Sequence, residues 1–207
     1  MIADIKVPDS SIVRLAEELV RSASSDMLYN HVMRCYWFAE LFAQQAGSKA
    51  DRELMFLSAT LHDLGFTDLG RGPHRFEIEG ANAARKFLEA HNVPNDRAWK
   101  VWDNIALHTW DINLFKDDDA RLTQLGLLHD VVGVADANLD PADIAEVLRR
   151  FTRLGFKRGF HDLLHQELES KQPYEHFHHA CALIAHRRGT LVMPDLQAAL
   201  DGAPFEE

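Results

Sequence analysis

In the stretch "SATLHDLGFTDLG" a histidine and an aspartate, His62 and Asp63, stand side by side among leucines that read as the buried end of a helix. A buried, unpaired carboxylate is expensive, so an inward-facing aspartate beside an inward-facing histidine requires a compensating charge. Helical spacing brings further candidates to the same interior. Leu28, His31, Cys35, Phe38 and Phe42 recur at intervals of three and four, which turns His31 toward the core. Met55 and Ala59 share the face of His62, and Thr123, Leu127 and Val134 share that of Asp130. Val101 and Ile105 align His108 in the same way. Two imidazoles and two carboxylates can therefore converge, with a third imidazole nearby. Such a donor set suits one divalent transition metal, zinc, iron or manganese, whose charge balances the carboxylates. A catalytic metal keeps a position for water and lowers the pKa of that water toward about 7, so no serine or cysteine nucleophile is needed.

The elements that position these residues are expected to be helices. Alternating strand patterns are absent, while apolar residues three and four apart recur along the chain. A first helix follows Pro8 with Asp9 or Ser10 as N-cap, and a second spans about Met27 to Ala46 with Gly47 at its stop. A third runs from about Ala50 to Leu64 and ends at Gly65; the following "FTDLGRGPHR" is a loop. The next three cover about Phe76 to His91, Asn95 or Asp96 to Thr109, and Asp118 to Val134. Asp140 caps a short seventh with Pro141 in its first turn, and the remainder adds two or three more. With no linker or repeat, the expectation is a single all-α domain over residues 1–207.

Composition narrows the function classes. The chain has 207 residues, 46% of them apolar, and a formal charge of -10, which opposes binding to a phosphate backbone. The one basic cluster, Arg149, Arg150, Arg153, Lys157 and Arg158, reads as a solvated helix face. No run reaches the roughly 20 apolar residues of a membrane span, and the start lacks the pattern of a signal peptide, so a cytoplasmic address is expected. Cys35 and Cys181 read as small buried residues rather than a disulfide pair. Trp99, Trp102 and Trp110 read mostly as core aromatics. The expected partner is a small-molecule substrate, with neither nucleic acid nor membrane, and the apolar terminal helices are suited to a homodimer.

The ordered set "YNHVMRCYWFAELF", "LSATLHDLG" and "GLLHDVVG" resembles the HD-domain superfamily of metal-dependent hydrolases. In that superfamily a histidine on one helix is followed by a His-Asp pair and a later aspartate. The stretches "HRFEIEGANAARKFL", "WDNIALHT" and "FTRLGFKRGF" look like its cyanamide-hydratase-like branch. The resemblance covers roughly residues 27–171 and implies a helical HD bundle with His31, His62, Asp63 and Asp130 as metal ligands. Asp136 competes for the fourth place, but at a helix end it reads as a cap or turn residue, and Asp130 is preferred. His129 reads as a helix-surface or supporting histidine. The branch resemblance gives Glu77 a catalytic part, against the alternative of an ordinary glutamate in a helix's first turn. Glu77 and His108 are the expected proton carriers. Arg75, Thr109 and Trp110 are the expected substrate contacts.

His74, the pair His161 and His165, and "EHFHHA" read as solvated residues. The implied reaction is hydration of a small electrophile such as cyanamide or another nitrile. Hydrolysis of a phosphate ester would demand cations near the metal, of which Arg75 is a thin supply. A metal- or ligand-binding domain without catalysis is the remaining alternative.

Overall fold

The computed structural model describes residues 2–133, 138–171, 186–187 and 189. Eight α-helices and no strand occur among them. These are α1 (Ser11–Ala23), α2 (Asp26–Gln45), α3 (Arg52–Leu61), α4 (Phe76–Ala90), α5 (Asn95–Ala106), α6 (Asp118–Val131), α7 (Pro141–Arg150) and α8 (Phe156–Ser170). Short 3-10 turns at Leu64–Phe66 and Asp111–Phe115 follow α3 and α5. The fold is all-α, and no helix among the described residues is long and apolar enough to cross a membrane. The competing Asp136, Cys181, the "EHFHHA" histidines and the helix expected at "MPDLQAALDG" lie outside the described residues.

Local chemistry accounts for the helix starts. Ser25 accepts from the Leu28 amide, Asp51 from Leu54 and Asp140 from Ala142, each side chain satisfying a donor that the helix leaves unpaired. Pro141 stands in the first turn of α7, where its missing N–H costs nothing. Gly47, at φ +58°, takes the left-handed conformation just past α2.

Helices α2 and α3 form the centre. Every residue from Leu54 to Leu61 is buried, as are fifteen residues of α2. A helix buried all round belongs to the core rather than to one face of it. Around this pair lie α6 against α2 and α3, α5 against α3 and α4, and α4 against the turn that follows α3. One hydrophobic cluster runs from Ile2 to Phe151.

Two glycines set close approaches. A Cβ at Gly126 would stand 2.3 Å from the Cys35 carbonyl oxygen and 2.7 Å from the Ala39 amide nitrogen, so α6 crosses α2 backbone to backbone. A Cβ at Gly65 would stand 1.9 Å from the Phe76 carbonyl oxygen. Gly65 therefore lets the start of α4 pack on the turn after His62-Asp63.

Three helices end before their expected stops. Helix α3 ends at Leu61, with the chain tightening into the Leu64–Phe66 turn beneath α4. Helix α5 ends at Ala106, where the His108 amide and ring both bond back to Ile105. Helix α6 ends at Val131, with Gly133 at φ +76° just beyond it. Trp99 departs from the expected core position: it is 42% exposed, with the Arg85 guanidinium 4.1 Å above its ring. Trp102 is also only partly covered, and its indole N–H donates to Asn82.

Candidate metal centre

Three histidines and two aspartates meet where the ends of α3, α5 and α6 face the first turns of α2. His62 is the C-cap of α3, and its Nδ1 donates to the Ala59 carbonyl at 2.8 Å. His108 lies just past α5 and donates from Nδ1 to the Ile105 carbonyl at 2.6 Å. His31 donates from Nδ1 to Asp130 Oδ2 at 2.7 Å. In each ring an oxygen acceptor takes the Nδ1 hydrogen, which leaves Nε2 as the nitrogen that can ligate an ion on losing its proton. Metal-binding imidazoles are oriented in this way.

Asp63 is buried, and neither of its carboxylate oxygens has a hydrogen-bond donor. Its Oδ2 lies 3.3 Å from Nε2 of His31 and 3.3 Å from Nε2 of His62. A nitrogen and an oxygen bound tetrahedrally to one ion at ~2.1 Å stand about 3.4 Å apart. The orphaned carboxylate, the two converging nitrogens and their spacing all fit a shared divalent cation. Ligand atoms of His62, Asp63 and His108 lie within 4.8 Å of one another, as do those of His31, Cys35 and His62. Burial opposes ionisation of Asp63, but the two imidazoles hold its carboxyl far below the ordinary carboxylate range. Burial likewise opposes a charge on His31, which Cys35, Asp130 and Asp63 outweigh to raise its pKa well above the ordinary value.

Asp130, expected as a direct ligand, faces the other side of His31 in this structure. The α2–α6 crossing sets its carboxylate beneath His31, against the ring nitrogen opposite the one that approaches Asp63. Arg34, fully buried, grips it in a fork, Nε to Oδ1 at 2.6 Å and Nη2 to Oδ2 at 2.9 Å. Arg153 adds a bond to Oδ1 at 3.0 Å. Burial raises the Asp130 carboxyl, but His31 and Arg34 more than reverse this and leave it depressed. With four donor contacts already made, Asp130 is positioned as the carboxylate that orients His31.

Arg34 was missed at the sequence level although the signal was present: three residues after His31, it shares that helix face. Arg153 was grouped with a solvated basic face, yet it reaches inward to Asp130. The remaining Arg34 donor, Nη1, bonds the carbonyls of Phe151 and Thr152, fastening the turn between α7 and α8 to the same centre. From α8, Phe156 stacks on His31 with centroids 4.5 Å apart.

Glu77, in the first turn of α4, is fully buried and accepts from Thr109 Oγ at 2.6 Å. Burial raises its pKa to about 6, with the Thr109 bond opposing the shift. Beneath His108, Gln124 donates to its carbonyl at 2.6 Å, and Asn113 bonds the Asn104 carbonyl at 2.9 Å. This buried amide network braces the turn that carries His108 and Thr109.

A cavity of about 290 Å³ opens beside the rings of His31, His62 and His108. Thr109 also lines it, and its walls are Phe76, Leu127, Leu128, Val131, Val132, Phe160 and Leu164. No arginine or lysine of the described residues is among them. Arg75 instead bonds the Ala106 carbonyl at 3.4 Å, and neither it nor Trp110 lines the cavity. His129 stands edge-on to Phe38 and Phe42, while His74 pairs with Glu79 on the surface. His161 and His165 lie on α8 away from the centre, and His165 pairs with Glu169.

Residues 28–113 match the family model of the HD domain. HD domains are in general metal-dependent hydrolases that bind divalent ions. The matched segment holds His31, His62, Asp63, Glu77 and His108. No curated protein matches the chain.

Proposed function

We propose that this protein is a metal-dependent hydratase that adds water to the electrophilic carbon of a small neutral molecule, most like the hydration of a nitrile such as cyanamide. The single observation carrying the reading is the cavity wall, in which the described residues pair three imidazoles and a hydroxyl with apolar side chains and include no arginine or lysine. A phosphate ester would bring charge into that wall and call for arginine or lysine.

His31, His62 and Asp63 are the proposed ligands of one divalent ion; zinc, iron and manganese all suit these nitrogen and oxygen donors. When bound, the ion supplies Lewis acidity that makes water nucleophilic near neutral pH. Asp130 holds His31, with Arg34 and Arg153 balancing its charge. The apolar walls exclude bulk water and hold the substrate's carbon against the imidazole cluster. As the water oxygen bonds to that carbon, a π pair of the carbon–nitrogen triple bond moves to nitrogen. Thr109, whose hydroxyl donates to Glu77 Oε1, passes one water proton to that carboxylate. Return of this proton to nitrogen gives an imidic acid, and transfer of the remaining hydroxyl proton from oxygen to nitrogen, with His108 Nε2 as its carrier, leaves a primary amide; no oxidant or reductant is needed.

Metal-replete protein assayed on nitriles, cyanamide included, and on nucleoside monophosphates tests the reading. Expected is nitrile turnover that rises with pH through about 6 as Glu77 ionises. In Glu77→Gln that limb should vanish, with a loss of ~10²–10⁴-fold in rate. Turnover of nucleotides alone would overturn the proposal.

A further inference from the structure

The cavity is larger than a three-heavy-atom electrophile needs. Liquid water takes roughly 30 Å³ per molecule, so about 290 Å³ leaves room for roughly ten water-sized groups. The polar lining is a connected cluster: the His31 and His62 rings are 5.3 Å apart and those of His62 and His108 are 4.9 Å apart. Thr109 follows directly on His108. Among the described residues, all other lining groups are hydrocarbon or aromatic. A minimal substrate at the imidazoles would leave most of this wall without contacts, and an apolar wall yields binding energy only to atoms that touch it. Val132, which is 74% exposed, places part of the lining at the surface and so marks the way in.

We infer that the substrate carries an uncharged apolar body of about five to nine non-hydrogen atoms behind its electrophilic group, as in an alkyl or aryl nitrile. That body lies against Leu128, Val132, Phe160 and Leu164. The choice of nitrile rests on the hydration reading above; the apolar body rests on the cavity alone.

Calorimetric titration of the metal-loaded full chain with hexanamide, acetamide and hexanoate separates the two. Hexanamide has four more methylenes than acetamide, each worth about fourfold on burial. The expected result is therefore ~10²-fold tighter binding of hexanamide than of acetamide, with hexanoate weaker than hexanamide. Val132→Trp, a change at an exposed position, should reduce the hexanamide-to-acetamide ratio at least tenfold, with circular dichroism reporting that the helices persist. In parallel, kcat/KM should favour hexanenitrile over acetonitrile in the same proportion. Equal binding of the two amides, or preference for hexanoate, would overturn the inference. Preferred hexanamide binding without turnover of any nitrile upholds the inference and sinks the hydration reading. Turnover of acetonitrile and hexanenitrile with equal kcat/KM does the reverse.

Discussion

Asp63 and Asp130 are both buried, and both approach the ring of His31 from opposite nitrogens, yet their surroundings differ completely. Asp130 is gripped by the Arg34 fork, by Arg153 and by the His31 N–H. Asp63 has no hydrogen-bond donor on either oxygen, although two imidazole nitrogens come within 3.3 Å of one of them. The protein itself supplies the donors for one carboxylate and leaves the other without them, which is the basis for proposing Asp63 as an ion ligand and Asp130 as its support. A single imidazole joins the two, so the neutralised carboxylate sets the direction in which the other side of the ring presents its lone pair.

The largest test of this contrast is Asp63→Asn. It should abolish near-stoichiometric transition-metal content by elemental analysis, together with activity. Arg34→Met attacks the other side. It leaves the Asp130 charge in the interior without its main partner, and such breaks cost ~3–5 kcal/mol. Chemical denaturation of the metal-free form should read that loss. Asp130→Asn should retain metal at stoichiometric levels but weaken its affinity by ~10–100-fold, the range for a residue that orients a ligand. If Asp130→Asn instead removes the metal as fully as Asp63→Asn, the two carboxylates are equivalent ligands and the contrast fails. The smallest effect belongs to Arg153→Ala. Its side chain is 32% exposed to screening water and the Arg34 fork remains, so denaturation should shift by about 1 kcal/mol or less.

Glu77 is a third buried carboxylate, and its raised pKa has a definite sign for stability. Its contribution to folding is fully present below the ordinary value of 4.5 and declines as pH rises toward about 6, because the unfolded chain ionises first. Asp63 and Asp130, both depressed, behave oppositely: their contributions are present above the ordinary value and are lost as pH falls.

Helix existence and the convergence of His31, His62, Asp63 and His108 were legible because each rests on chemistry within one helix or its caps. Ser10, Gly47, Asp140 and Pro141 mark ends through local geometry. The ends of α3 and α5 were misplaced because tertiary contacts, not local preference, terminate them. Gly65 must fit under Phe76, and the chain at His108 folds back on Ile105 over the amide network. The contacts of Asp130 were illegible for a related reason. Helical spacing shows that a residue faces inward but says nothing of what waits there, and Arg34 and Arg153 reach it from 96 and 23 residues away. The cavity walls are the extreme case: Phe160 and Leu164 come from α8, whose packing over His31 and Phe76 no local pattern announces.

Gly126 has no side chain and takes no part in any reaction, but it acts as a spacer for the whole centre. Asp130 follows it by one helical turn, so the depth at which the two backbones meet at Cys35 and Ala39 also sets the depth of the carboxylate under His31. A single methyl at this position would lift α6 from α2 and draw Asp130 away from both the imidazole and the Arg34 fork. The calibration of the surroundings of His31 thus resides in a residue that contributes only the absence of an atom.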